Sequence, residues 1–156
     1  RKNMALYLVQ HGKSLPKEVS PERALSEEGI AEVEKIARAV KGYDIRVRQI
    51  RHSTKLRAQQ TAVLFQAALD PQEPMQVTEG LNPLDDVAAV AARILKEPDI
   101  MLVGHLPFME RMASYLITGS IEKTVFKFQN GGLVCLDREQ GTGNWFIKWA
   151  LVPNIE

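Results

Sequence analysis

Two uninterrupted apolar runs each stop at histidine and glycine. Ala5-Leu6-Tyr7-Leu8-Val9 leads into Gln10-His11-Gly12, and Ile100-Met101-Leu102-Val103 leads into Gly104-His105. Runs of this length bounded by polar residues read as strands buried on both faces. Between them the apolar period changes. Ser26 offers a helix N-cap with Glu27 and Glu28 behind it, and Ile30, Val33, Ile36, Ala37 and Val40 follow at helical spacing until Gly42. Residues 47–51 alternate weakly and predict a second strand. Ser53 or Thr54 then caps a helix whose buried face carries Leu64, Phe65, Ala68 and Leu69, and Asp70-Pro71 ends it.

Residues 75–78 predict a brief strand and Glu79 to Pro83 a loop. Asp85 or Asp86 opens a helix with Val87, Val90, Ala91, Ile94 and Leu95 on one side. Pro107 suits the first turn of another, striped by Met109, Met112, Ala113 and Leu116. The tail changes character: 125–128, 133–136 and 145–150 read as strands, joined by Asn130-Gly131-Gly132 and Gly141-Thr142-Gly143. On the last of these, Trp145, Ile147 and Trp149 share one face and Phe146 and Lys148 the other. The order predicts an α/β fold: one domain over residues 1–156, a largely parallel central sheet flanked by helices, and antiparallel strands at the C-terminal end. Residues 14–24, polar and with two prolines, predict no element.

A chain of 156 residues is long enough to bury a sizeable core. Its formal net charge of +1 argues against a dedicated nucleic-acid or membrane-surface binder. Arg46, Arg48, Arg51, Lys55 and Arg57 do cluster locally, which suits a small anionic ligand or an acidic protein face. The lone Cys135 excludes an internal disulfide and reads as a buried structural thiol. There is no metal-ligand spacing, no long apolar run and no signal-peptide pattern. The expectation is a soluble, cytoplasmic protein without a metal or other cofactor, binding neither nucleic acid nor membrane; the oligomeric state is not legible.

Both histidines end strands that would point to one edge of a parallel sheet, where open α/β folds bind ligands. Arg57 lies near the start of a helix that itself follows a strand. Three strand-to-helix junctions thus bring together two imidazoles, a guanidinium and helix N-terminal amides, a set suited to a tetrahedral anion. Imidazoles that share one small anion through direct hydrogen bonds must lie within about 8 Å of each other. His52, beside this set, reads as a partly exposed structural histidine.

Leu6-Tyr7-Leu8-Val9-Gln10-His11-Gly12 resembles the Arg-His-Gly strand end of the histidine phosphatase superfamily. Ser53-Thr54-Lys55-Leu56-Arg57-Ala58-Gln59-Gln60-Thr61 resembles its second motif, Ser-x-x-x-Arg-Ala-x-Gln-Thr, and Val103-Gly104-His105-Leu106-Pro107 its late strand with the second histidine. The length and the His-Leu-Pro junction are most similar to the SixA-type phosphohistidine phosphatase branch. The resemblance implies a histidine phosphatase or phosphoglycerate mutase-like fold and a metal-independent hydrolase. It implies His11 as the nucleophile, its second ring nitrogen tied to a backbone carbonyl. Arg57 would hold phosphoryl oxygens and His105 would stabilise their charge, with Gln10, Gly12, Lys55 and Ser53 as further phosphate-binding candidates.

One departure matters. Gln10 stands where the family's arginine precedes the nucleophile. A charge-assisted hydrogen bond contributes about 1.5–3 kcal/mol, so the exchange is worth about ten- to a hundredfold in transition-state stabilisation. Lys13, Arg51 and Lys55 are candidates for the missing charge, Lys55 first because it lies in the second motif. Glu79 is the candidate acid for the leaving group, with a plain surface-loop glutamate as its alternative. The leading expectation is a phosphatase acting on a phosphohistidine-bearing protein through a phosphohistidine intermediate. A phosphomonoesterase for small phosphorylated substrates is the alternative in the same class. A weakly catalytic phosphate- or phosphoprotein-binding module is the alternative in another.

Overall fold

The computed structural model describes residues 4–94 and 96–155. Its elements are β1 (Leu6–Gln10), α1 (Glu27–Gly42), β2 (Gln49–His52), α2 (Leu56–Leu69), β3 (Gln76–Val77), α3 (Val87–Ile94), β4 (Ile100–Gly104), α4 (Phe108–Thr118), β5 (Leu133–Arg138) and β6 (Trp145–Leu151). The strands form one six-stranded sheet in the order β3-β2-β4-β1-β5-β6. β3, β2, β4 and β1 run parallel, and β5 and β6 are added antiparallel. This is the α/β sheet the alternating pattern predicts.

The two apolar runs become β1 and β4, neighbours in the sheet with Leu6 opposite Ile100 and Gln10 opposite Gly104. Both are buried along their whole length because helices cover both faces. Tyr7, Val9, Met101 and Val103 face a core shared with α1 and α2. Leu6, Leu8, Ile100 and Leu102 face one shared with α3 and α4. Each fully buried side chain of this size contributes roughly 1.5–3 kcal/mol, so these adjacent strands are the stiffest available mount for the residues at their ends. Among the described residues, no helix is long and apolar enough to cross a membrane.

Several local readings change. Ser26 does cap α1, its hydroxyl accepting from the Gly29 amide at 3.0 Å. Ile30, however, is exposed, and Gly29 takes its place on the buried side. On α2 the buried face is Ala58, Thr61, Ala62 and Phe65, with Leu64, Ala68 and Leu69 at its margin. Its cap position is Lys55, with no side-chain cap, because the Ser53 hydroxyl is used elsewhere. Leu95 falls outside the described residues.

Residues 125–128 are not a strand. They cannot pair with β5, the strand they precede, because both of its edges are taken, by β1 and by β6. The Phe128 amide donates instead to the Glu110 carboxylate, and Phe126 and Phe128 pack edge to face. The two tryptophans of β6 also part company. A register shift between Cys135 and Leu136 leaves Trp149 packed with Tyr7 on one core and Trp145 and Ile147 against the other.

The start of α1 is clamped to the segment that follows β1. Lys13 O accepts from both the amide and the hydroxyl of Ser26. A Cβ on Gly29 would lie 2.1 Å from that same carbonyl oxygen. Gly29→Ala should therefore destabilise the protein by about 2 kcal/mol or more and weaken phosphate binding, because the clash moves the backbone next to His11. Urea midpoints and a phosphate titration of the variant check both; an unchanged midpoint would show that the clamp yields freely.

Candidate active site

β1, β4 and β2 lie side by side and parallel, so their C-terminal ends bring His11, His105 and Ser53 to one edge. Backbone bonds extend the ladder past the strands: His11 N–H donates to Gly104 O at 2.9 Å and Ser53 N–H to Val103 O at 3.1 Å. The imidazoles of His11 and His105 meet edge to face with ring centroids 5.1 Å apart, well inside the limit for sharing a small anion. Both are buried, with 8% and 2% of their surface exposed.

His11 is held from several sides. Its Nδ1 lies 2.7 Å from Gly12 O. A carbonyl can only accept, so Nδ1 carries the proton and Nε2 keeps its lone pair. Asn130 Nδ2 donates to His11 O at 3.0 Å, and Gly131 N–H donates to Gln10 O at 2.9 Å. The Asn130-Gly131-Gly132 turn thus fixes the backbone of the histidine from the C-terminal part of the chain. Gly12 is required for packing: a Cβ there would meet Val33 Cγ2 at 2.8 Å. Its amide donates to Thr61 Oγ1 at 3.0 Å, and that hydroxyl donates on to Arg57 O at 2.8 Å. The Gly12 N–H is therefore already engaged and serves α2, where a phosphate-binding role was expected.

Ser53 likewise acts on its neighbour. Its hydroxyl lies 2.6 Å from His105 Nε2 and accepts from the Lys55 amide at 3.4 Å. His105 Nδ1 is left buried without a partner. Burial pushes the His11 pKa down to about 4, with Arg57 and Arg23 adding to the effect against the Gly12 hydrogen bond. Burial pushes His105 down to about 3, and His11, Arg57, Lys55 and Arg23 all push the same way. Both rings are neutral at pH 7.

The charged side chains sort clearly. Arg57 acts on both imidazoles, and its buried Nε has no partner. Lys17, Arg23, Lys55 and Arg57 line a cleft of about 560 Å³, together with the single carboxylate of Glu22. Among the described residues none of these four cations has an ion-pair partner. Two expected substitutes for the missing arginine are committed elsewhere. Lys13 binds Glu28 at 2.7 Å and Glu32 at 3.4 Å, and Arg51 forms a two-pronged pair with Glu97. Gln10 is buried and its Oε1 has no partner. Glu79 is exposed and lines a separate groove with Arg51, Arg93 and Glu97, its carbonyl held by Arg93. His52 is more buried than expected, its Nδ1 2.8 Å from Ser53 O.

Sequence reasoning missed Arg23, the side chain of Asn130 and the Thr61 link, although the sequence leaves Asn130-Gly131-Gly132 open to bringing backbone amides to the site. Asn130 sits in a turn the pattern did mark, and Thr61 in a quoted motif. Arg23 lies in the stretch that predicts no element, and nothing in its neighbours signals its backbone, held at a φ of 56°.

The family model of the histidine phosphatase superfamily (branch 1) matches residues 6–85, just over half of the chain. The chain belongs to the histidine phosphatase superfamily. The solved structure of the protein histidine phosphatase SixA complexed with tungstate superposes with a TM-score of 0.84 at 23% identity, covering 96% of this chain and 97% of that one. A SixA structure from Agrobacterium tumefaciens gives 0.78 at 26% identity, with 98% and 100% covered. The alpha-ribazole phosphatase from Shigella flexneri gives 0.78 at 17% identity, with 98% of each chain covered. No curated protein sequence matches the chain. Superfamily membership and the SixA-like fold agree with the expectation from the three motifs; the neighbours differ in the phosphorylated compounds their names carry.

Proposed function

We propose that this member of the superfamily is a phosphatase that works through a phosphohistidine intermediate on His11, with protein phosphohistidine as its preferred substrate class. The observation that carries this reading is the tautomer of His11. The 2.7 Å bond from Nδ1 to Gly12 O leaves Nε2 unprotonated beside a second neutral imidazole, with a guanidinium acting on both. Nε2 attacks phosphorus, the N–P bond forms as the bond to the leaving group breaks, and the leaving group departs. Water then attacks the phosphoenzyme, releasing phosphate and returning the electron pair to Nε2. Arg57 and the uncapped start of α2 offset the charge on the phosphoryl oxygens, and the free Nδ1 of His105 serves from a second direction.

The substrate preference follows from what surrounds the imidazoles. The charges acting on them are cationic, and Glu79 lies in another groove. Among the described residues the one carboxylate of the cleft is Glu22, set among four cations, and a substrate with little need of a dedicated acid suits such a site: the leaving imidazole of phosphohistidine is a far weaker base than an alkoxide. The cationic cleft also fits an acidic protein face. Purified protein should turn over phosphohistidine protein and phosphoramidate faster than a phosphate ester, by about a hundredfold or more in kcat/KM, the lower bound for one general-acid contribution. A faster ester reaction would favour a phosphomonoesterase for small substrates. Phosphate binding with turnover of none would favour the binding module that Gln10 allows.

A further inference from the structure

We propose that Arg23 binds the phosphoryl group and supplies the positive charge that Gln10 does not. This inference rests on His11, Arg57 and His105 forming a phosphate site, and it names a further cation of that site. Arg23 comes from the loop between β1 and α1, which is a built structure. Leu15 N–H donates to Ala24 O at 2.8 Å, Arg23 N–H to Ser20 O at 2.8 Å, and Ala24 N–H to the Ser20 hydroxyl at 3.1 Å. Ser14 and Leu25 form a β-bridge, and the Leu25 amide donates to Gln60 Oε1 at 2.7 Å. The last bond ties the loop to α2, the helix that carries Arg57.

Three observations single out Arg23. Its backbone is held at a φ of 56°, a left-handed conformation that side chains with a Cβ rarely adopt. Its guanidinium is steadied by Nη2 donating to Ser14 Oγ at 3.1 Å, which leaves its other N–H groups for a ligand. It lines one cleft with Arg57 and Lys55, and among the described residues no carboxylate pairs with it, Glu22 of the same cleft included. Of the cations in that cleft, Arg23 and Arg57 act on both His11 and His105, whereas Lys55 acts on His105. Arg23 also works against the charge of Arg57, whose buried Nε is unpartnered. Two guanidiniums converging without an anion repel each other, and a phosphoryl dianion between them turns that repulsion into attraction on both sides.

The test is a double-mutant cycle between Arg23 and Gln10, read by the affinity for inorganic phosphate and by phosphoramidate turnover. Arg23→Ala should weaken phosphate binding by about ten- to a hundredfold, steepen neither unfolding transition nor lower its midpoint appreciably, and flatten the salt dependence of binding. Arg23→Lys should retain part of the affinity. Gln10→Arg should recover most of the loss in the Arg23→Ala background and gain less in the parent, where the charge is already present. Lys55→Ala provides the matched control and should cost less than Arg23→Ala. The proposal is overturned if Arg23→Ala leaves phosphate affinity within twofold of the parent, if Lys55→Ala carries the loss instead, or if Gln10→Arg gains as much in the parent as in the variant. Loss of phosphate affinity in a protein that turns over nothing would sink the phosphatase reading and leave the role of Arg23 standing.

Discussion

Replacing His11 by alanine should abolish turnover and with it any acid-labile phosphoenzyme. In the proposed mechanism no neighbouring group takes its place as nucleophile: His105 serves the phosphoryl oxygens as a donor through its free Nδ1, with Nε2 bonded to Ser53, and Ser53 is spent on that bond. Loss of the nucleophile in a covalent mechanism costs on the order of 10⁴-fold or more in kcat. His105→Ala removes only charge stabilisation and should cost about 10²–10³-fold, leaving a measurable rate. The two variants thus differ in kind as well as size. Rapid acid quench with labelled phosphoramidate reads the intermediate directly: the parent and His105→Ala should accumulate label on protein and His11→Ala none. If His11→Ala hydrolysed phosphoramidate at the parent rate, the covalent route would be wrong, whatever the phosphate affinity showed.

Much of this site is legible in the linear pattern because the strongest pattern and the chemistry coincide. A strand buried on both faces is the easiest element to read from a chain, and β1 and β4 both deliver a histidine at their ends. The parallel pairing then puts the imidazoles together with no further information. What the pattern hides depends on contacts between distant residues. Residues 125–128 have strand-like composition, yet β5, the strand that follows them, offers no open edge to pair with. Trp149 keeps a strand's alternation in sequence but changes sides through a bulge that no local residue announces. Arg23 is the instructive case. Its conformation is set by hydrogen bonds to Ser20 and Ser14, so a stretch without periodicity contributes a side chain as well placed as those on the strands. Lys13 and Arg51 show the converse: each is a cation near the motifs, and each is claimed by a carboxylate from another element.

The same buried histidines should make the protein unusually sensitive to mild acid. His11 and His105 are held down to about 4 and about 3, chiefly by burial, while in the unfolded chain each titrates near 6.5. Between those values the unfolded state binds protons that the folded state refuses. Stability is therefore full above pH ~6.5 and falls as the pH drops toward about 4 for His11 and about 3 for His105. With both rings contributing, the slope approaches about 2.7 kcal/mol per pH unit, twice the 1.36 kcal/mol of one shifted proton. Against a total stability of roughly 5–15 kcal/mol this is a large fraction. Urea midpoints at pH 8, 6.5, 5.5 and 5 should stay level across the first interval and then decline steeply, with m unchanged. His11→Ala and His105→Ala should each remove about half of that decline. Sulfate, which stays a dianion from pH 8 to 5.5, gives the decisive arm. Beside the two rings it favours their protonated forms, so its stabilising effect should grow as the pH falls over that interval. A midpoint flat from pH 6.5 to 5 would mean that the rings are not held neutral in the folded protein, and that the nucleophile assigned to His11 is not ready at neutral pH.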